Sequence, residues 1–210
     1  MIRILIADDH PIFRDGLKSI IEEETDMRIE DEVSSGKEVL SLVRQKKYDV
    51  LLLDIDMPEM NGLAVLGAMK DAGISLPVLI LSFYPESQYA VRSLKLGAKG
   101  YLTKDSASTD LVTALRTLAA GKRYITPLVA EQLSDFLGEN KTVHPHEQLS
   151  EREYEVFSLI ISGHGVSEIS DMLHLSPKTV STYKNRVLQK MNMENDSQLI
   201  LYAAREGLVR

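Results

Sequence analysis

The first 120 residues repeat one unit: a short apolar run followed by a stretch whose apolar positions fall three and four apart. The runs are Ile2–Ala7, Ile29–Val33, Val50–Leu53, Val78–Leu81 and Gly100–Leu102. The stretches between and after them carry stripes such as Phe13, Leu17, Ile20 and Ile21, or Leu111, Leu115 and Leu118. Runs this short, bounded by polar residues, read as strands, and the stripes read as amphipathic helices. Strands buried on both faces and joined by crossover helices make a parallel sheet. Residues 1–120 are therefore expected to form a complete doubly wound α/β domain with five strands.

That periodicity then stops. A short helical signal follows Pro127 (Leu128, Val129, Leu133), and Gly138–Gln148 is polar, with a proline and two histidines, a linker composition. From Leu149 onward the period is helical throughout. The expected organisation is an α/β domain at 1–120, a linker with a short helix at 121–148 and a small all-α domain at 149–210.

The absence of cysteine excludes a disulfide framework and any thiolate metal site. The opening MIRILIADD is too short an apolar run for a signal peptide or a membrane span, so a cytoplasmic protein with no membrane partner is expected. A formal charge of -7 argues against coating nucleic acid by bulk charge. It leaves room for a local basic reader, because His174–Met193 holds Lys178, Lys184, Arg186 and Lys190 and no acidic residue.

Chemistry-bearing residues gather at one rim of the expected sheet. Asp8 and Asp9 follow the first run, Asp54 ends the third, Ser82 follows the fourth and Lys104 lies just past the fifth. All are at carboxyl ends of parallel strands, where open α/β sheets bind ligands. Three converging carboxylates need a cation, and a hard, oxygen-preferring ion such as Mg2+ suits them. With the ion held by Asp8 and Asp9, Asp54 is free to attack a phosphoryl group, while Lys104 and the Ser82 hydroxyl steady its oxygens. His10 adjoins the pair, but no second histidine stands at ligand spacing.

Through ADDHP, LLLDIDMPEMNG, LILSFYPE and GAKGYLTKD, residues 1–120 resemble the receiver domain of two-component response regulators. The resemblance implies a flavodoxin-like (βα)5 fold, with Asp54 as phospho-acceptor, Asp8 and Asp9 as the metal-binding pair and the Asp56 backbone carbonyl completing the site. It also implies that Ser82 is the switch hydroxyl, Lys104 the lysine of the pattern and Tyr101 an aromatic switch that turns inward on phosphorylation. A buried Tyr101 with no switching role is the alternative. Two positions depart from the pattern. Phe83 stands where receivers usually carry a small residue, and a ring there is expected to narrow the approach to Asp54 or to slow phosphoryl turnover. Asp105 follows Lys104 where many receivers have proline, leaving the local geometry open.

After Leu149, Ser150 with Glu153 three residues on has capping-box spacing and opens a helix that ends near Gly163. A short second helix starts near Ser167. A tight turn leads to Ser176 and Pro177, an N-cap followed by proline at the first helical position. On the third helix Val180, Val187, Leu188 and Met191 form one stripe; Lys178, Ser181, Thr182 and Asn185 form another. Short polar groups between cations suit the major groove, where the former read bases and the latter hold phosphates. A solvated helix face would also be polar.

The segments LSEREYEVFSLIISG, EISDMLHLSPKTVSTYKNRVLQKM and SQLILYAAREGLV resemble the LuxR-type helix-turn-helix domain, and the whole chain resembles a NarL/FixJ-type response regulator. The resemblance implies that Ser181, Thr182 and Asn185 contact bases and that Lys178, Thr179, Lys184 and Arg186 contact phosphates. Gly165 and Val166 depart from the family pattern at the start of the second helix. The last helix, with Leu199, Ile200 and Ala203 on one side, resembles a dimer helix; packing on its own domain is the alternative.

The resulting expectation is a transcriptional regulator, not an enzyme. A sensor histidine kinase phosphorylates Asp54, and a homodimer binds double-stranded promoter DNA. Two rivals stand beside it. One is a pseudo-receiver regulator independent of phosphorylation. The other is a phosphatase using Asp54-Ile55-Asp56 as a D-x-D nucleophile and acid pair, although that motif usually lies on a first strand.

Overall fold

The computed structural model describes residues 1–137 and 144–208. They divide into two compact units, Met1–Ser134 and Asp135–Arg210.

In the N-terminal unit strands and helices alternate: β1 (Ile2–Ala7), α1 (Pro11–Glu22), β2 (Met27–Val33), α2 (Gly36–Gln45), β3 (Val50–Asp54), α3 (Gly62–Asp71), β4 (Val78–Ser82), α4 (Glu86–Leu96), β5 (Gly100–Thr103) and α5 (Ala107–Ala119). The five strands are parallel and lie in the order β2-β1-β3-β4-β5. This is the flavodoxin-like order, whose reversal point between β1 and β3 opens a crevice at the strands' carboxyl ends. Every residue of β3 and β4 is buried, as runs covered by helices on both faces must be. Leu111, Leu115 and Leu118 of α5 pack with Ile4, Leu52, Leu81 and Leu102 in one core.

Glycine permits the tightest approach near the crevice. A Cβ at Gly62 would lie 2.2 Å from the Asp54 carbonyl oxygen, and the Gly62 N–H donates to the Ile55 carbonyl at 2.9 Å. The start of α3 can thus lie against the residue that ends β3. Asn61 caps α3, its side chain accepting from the Ala64 N–H.

Beyond α5 the chain stays attached to the sheet. The Tyr124 N–H donates to the Lys99 carbonyl at 2.9 Å, and Tyr124 forms a parallel bridge with Gly100 beside β5. Helix α6 follows (Pro127–Leu137), with Val129 buried.

The C-terminal unit holds a 3-10 turn at Pro145–Gln148, then α7 (Glu151–Ile161), α8 (Val166–Met172), α9 (Pro177–Met191) and α10 (Asp196–Arg205). The capping box at α7 forms: Ser150 accepts from the Glu153 N–H, and Glu153 accepts from the Ser150 N–H at 2.8 Å. Ser176 caps α9 with Pro177 at its first position. The 3-10 turn, inside the stretch read as linker, lies against α10, where His146 Nδ1 and the Tyr202 hydroxyl are 2.6 Å apart.

Candidate functional site

At the crevice, Asp8 and Asp54 are 2% exposed and Lys104 4%. The ends of β1, β3 and β5 bring them together: Lys104 Nζ lies 2.6 Å from Asp54 Oδ2 and 2.7 Å from Asp8 Oδ2. Burial pushes the Asp54 carboxyl up to about 7, against the pull of Lys104 and with help from Asp8. The Lys104 contact leaves Asp8 Oδ2 without an aligned hydrogen bond. Asp8, Asp9, His10 and Asp54 each offer a ligand atom within 4.8 Å of the others, a spacing that could hold a metal ion. Carboxylate oxygens dominate the set, so the residues present fit a hard divalent cation. Asp56 lies two residues past Asp54, its N–H directed at Asp54 Oδ1 at 3.3 Å and its side chain exposed.

Aromatic rings close the mouth. Lys104 Nζ sits 4.7 Å from the Phe13 ring and 4.8 Å from the Phe83 ring, both within cation–π range. His10 packs edge-on against Phe83 at 5.7 Å and points Nδ1 at Asp9 Oδ1 (2.9 Å) and Asp8 Oδ1 (3.1 Å). Sequence reasoning picked out Phe83 but missed Phe13. Its helical stripe marked it as core, and nothing local announces that the ring covers a lysine 91 positions away.

Ser82 is fully buried at the end of β4, and its hydroxyl accepts from the Tyr84 N–H at 3.2 Å. The Lys104 N–H donates to the Ser82 carbonyl at 2.8 Å, tying the ends of β4 and β5. The Tyr101 ring lies inward, 1% exposed. The reason is an acceptor within reach, the Tyr84 carbonyl at 2.8 Å from the Tyr101 hydroxyl. The Lys104–Asp105 peptide is trans.

In the C-terminal unit Val180, Val187 and Met191 bury one face of α9, while Leu188 is half-buried. Lys178, Thr182, Asn185 and Arg186 are exposed and Thr179, Ser181 and Lys184 half-buried. The Ser181 and Thr182 hydroxyls donate to the carbonyls of Pro177 and Lys178, each at 2.9 Å. Two cations of the basic cluster are engaged within the unit: Lys184 Nζ lies 2.5 Å from Asp196 at the start of α10, and Lys190 Nζ 2.6 Å from Glu153. Arg186 sits over the Tyr183 ring at 6.0 Å.

The receiver-domain model of response regulators matches residues 4–116, and the model of bacterial regulatory proteins of the luxR family matches 147–203. The chain belongs to the response regulators. This regulator is 34% identical over 210 residues to the response regulator GacA of Pseudomonas aeruginosa, covering 100% of this chain and 98% of the relative. It is 34% identical to the response regulator UvrY of Escherichia coli K12, covering 99% and 96%. RcsB of Salmonella enterica serovar Typhimurium, solved on the rprA promoter with the phosphomimetic BeF3-, shares 28% identity with it at a TM-score of 0.67, covering 97% and 99%. Another structure of the set holds two RcsB dimers on two parallel DNAs.

The response regulator thus carries the receiver acidic cluster on its N-terminal unit and the exposed polar row on α9 of its luxR-family unit. On α10, Leu199 and Ala203 are buried in its own unit, while Ile200 and Leu201 face outward. Among the described residues no helix is long and apolar enough to cross a membrane.

Proposed function

We propose that this response regulator is a cytoplasmic, phosphorylation-controlled transcription factor that takes a phosphoryl group onto Asp54 from a sensor histidine kinase and binds double-stranded promoter DNA as a homodimer. Residues 1–120 receive the signal, 149–210 bind DNA and 121–148 join them. The observation that carries the reading is the buried Asp54–Lys104–Asp8 contact at the mouth of the sheet. Asp54 attacks phosphorus, the bond to the kinase imidazole breaks, and the imidazole leaves. Lys104 follows the transferred oxygens as a point charge, and the Ser82 hydroxyl donates to one of them. Mg2+, held by Asp8, Asp9, Asp54 and the Asp56 backbone carbonyl, would neutralise the phosphoryl oxygens. The protein is a stoichiometric acceptor and not a turnover catalyst.

On the DNA side, Ser181, Thr182 and Asn185 are assigned to base edges and Lys178, Thr179, Lys184 and Arg186 to phosphates. RcsB's DNA complexes support a dimer on promoter DNA, and the outward Ile200 and Leu201 offer apolar surface for it.

The test is the intact mass of the protein incubated with Mg2+ and acetyl phosphate beside an Asp54→Ala control. One added phosphoryl group that needs both Mg2+ and Asp54 is expected. No gain would favour a second reading, the pseudo-receiver, which the Phe83 ring over Lys104 supports. In that case Phe83→Ala should restore the gain.

A further inference from the structure

We infer that Glu86 and Thr126 form a latch through which the β4–α4 loop passes the state of the phosphorylation pocket to helix α6; the inference rests on the proposed phosphorylation of Asp54. The latch lies within the N-terminal unit, Met1–Ser134.

The first two residues of that loop are tied to the pocket and to Tyr101. Phe83 covers Lys104 at 4.8 Å. The Tyr84 N–H donates to the Ser82 hydroxyl at 3.2 Å, and the Tyr84 carbonyl accepts from the Tyr101 hydroxyl at 2.8 Å. Pro85 then caps α4, whose first residue is Glu86.

Glu86 in turn holds the segment that leaves the receiver, its Oε2 accepting a hydrogen bond from the Thr126 hydroxyl at 2.5 Å. Thr126 starts α6. Its hydroxyl also accepts from the Val129 N–H at 3.4 Å, and its carbonyl accepts from the Ala130 N–H at 2.9 Å. One side chain therefore both caps α6 and fastens it to α4. Glu86 fixes the Thr126 hydroxyl that accepts from the Val129 N–H, so movement of Glu86 loosens that cap and is felt in the first turn of α6. Tyr124 anchors the preceding residues on β5, and buried Val129 is the first apolar contact inside the helix.

A phosphoryl group on Asp54 draws the Ser82 hydroxyl toward it. Tyr84 follows through its N–H, and Glu86, two residues further on, moves with it. Glu86 then leaves Thr126, and α6 loosens where it departs from the receiver. Glu86 and Thr126 are positioning residues; neither touches the phosphoryl group.

Hydrogen–deuterium exchange of the amides of residues 130–134 in the full chain tests this. Beryllofluoride with Mg2+ should raise their exchange about tenfold in the parent. Glu86→Ala, which leaves Thr126 in place but removes the anchor of its hydroxyl, should show raised exchange before any treatment and little further rise. Thr126→Ser and Glu86→Gln, which keep donor and acceptor, should behave nearly as the parent. Parental exchange in untreated, folded Glu86→Ala overturns the latch. If acetyl phosphate adds its mass to the parent and the 130–134 amides do not respond, the coupling is wrong while the functional reading stands. If no mass is gained, that reading fails, and the untreated Glu86→Ala comparison still decides the latch.

Discussion

Asp54 is an acid that the fold makes reluctant to ionise. Its pKa rises from 3.8 to about 7, so between these values the folded protein holds a proton that the unfolded chain has released. Stability attributable to this group is then greatest at low pH and falls as pH rises toward 7. Asp54→Asn removes the ionisation. Its gain over the parent should be small at pH 5 and about 1–2 kcal/mol at pH 8, a discounted share of the 1.4 kcal/mol carried by each pKa unit. Thermal melts of both proteins at the two pH values check this; a pH-independent difference would contradict it. Asp8, Asp9, Asp54, Ser82 and Lys104 were legible as candidates because parallel strands deliver their C-terminal residues to one rim. The place of Phe13 was not. Which ring lies over which charge is decided by packing between units of the repeat, and the alternation of apolar runs carries no record of it.

Helices were legible where their ends announce themselves chemically. Ser150 with Glu153, and Ser176 with Pro177, place α7 and α9 within a residue of where they form. Helix α8 starts at Val166, one residue before the expected position, because Glu168 reaches back to accept from the Gly165 N–H at 2.8 Å. Side-chain pairing between helices was not legible, and it separates two lysines that look alike in sequence. Lys178 is exposed at the start of α9 with no ion pair among the described residues, whereas Lys184 is tied to Asp196. Lys178→Ala should weaken DNA binding uniformly across sequences and reduce the salt slope by about 1. Lys184→Ala should reduce that slope by less, because Asp196 competes with phosphate for its ammonium, and should also lower stability by about 0.2–1 kcal/mol, the range of an exposed pair. Binding titrations across a salt series, with melts of both variants, separate the two. An equal loss of slope would mean that Lys184 leaves Asp196 for phosphate when DNA binds.

For the whole molecule, the two-unit organisation follows from the change of periodicity alone. The behaviour of residues 121–137 does not, because their attachment runs through a backbone bridge at Tyr124 and a single hydroxyl at Thr126, neither of which leaves an apolar pattern. A parallel sheet that is not closed has two outer strands with unpaired backbone groups, and proteins must prevent these from recruiting other chains. The β2 margin is guarded by charge, with Arg28, Glu30, Asp31 and Glu32 along it. The β5 strand reads GYLT and has no charge of its own. Tyr124 covers part of it instead, made possible by Gly100, where a Cβ would meet the Tyr124 carbonyl oxygen at 3.1 Å. A receiver cut after residue 120 should therefore self-associate through β5 with rising concentration, while one cut after residue 134 stays monomeric in sedimentation. The same short segment that leads out of the receiver thus also protects it from edge-to-edge aggregation.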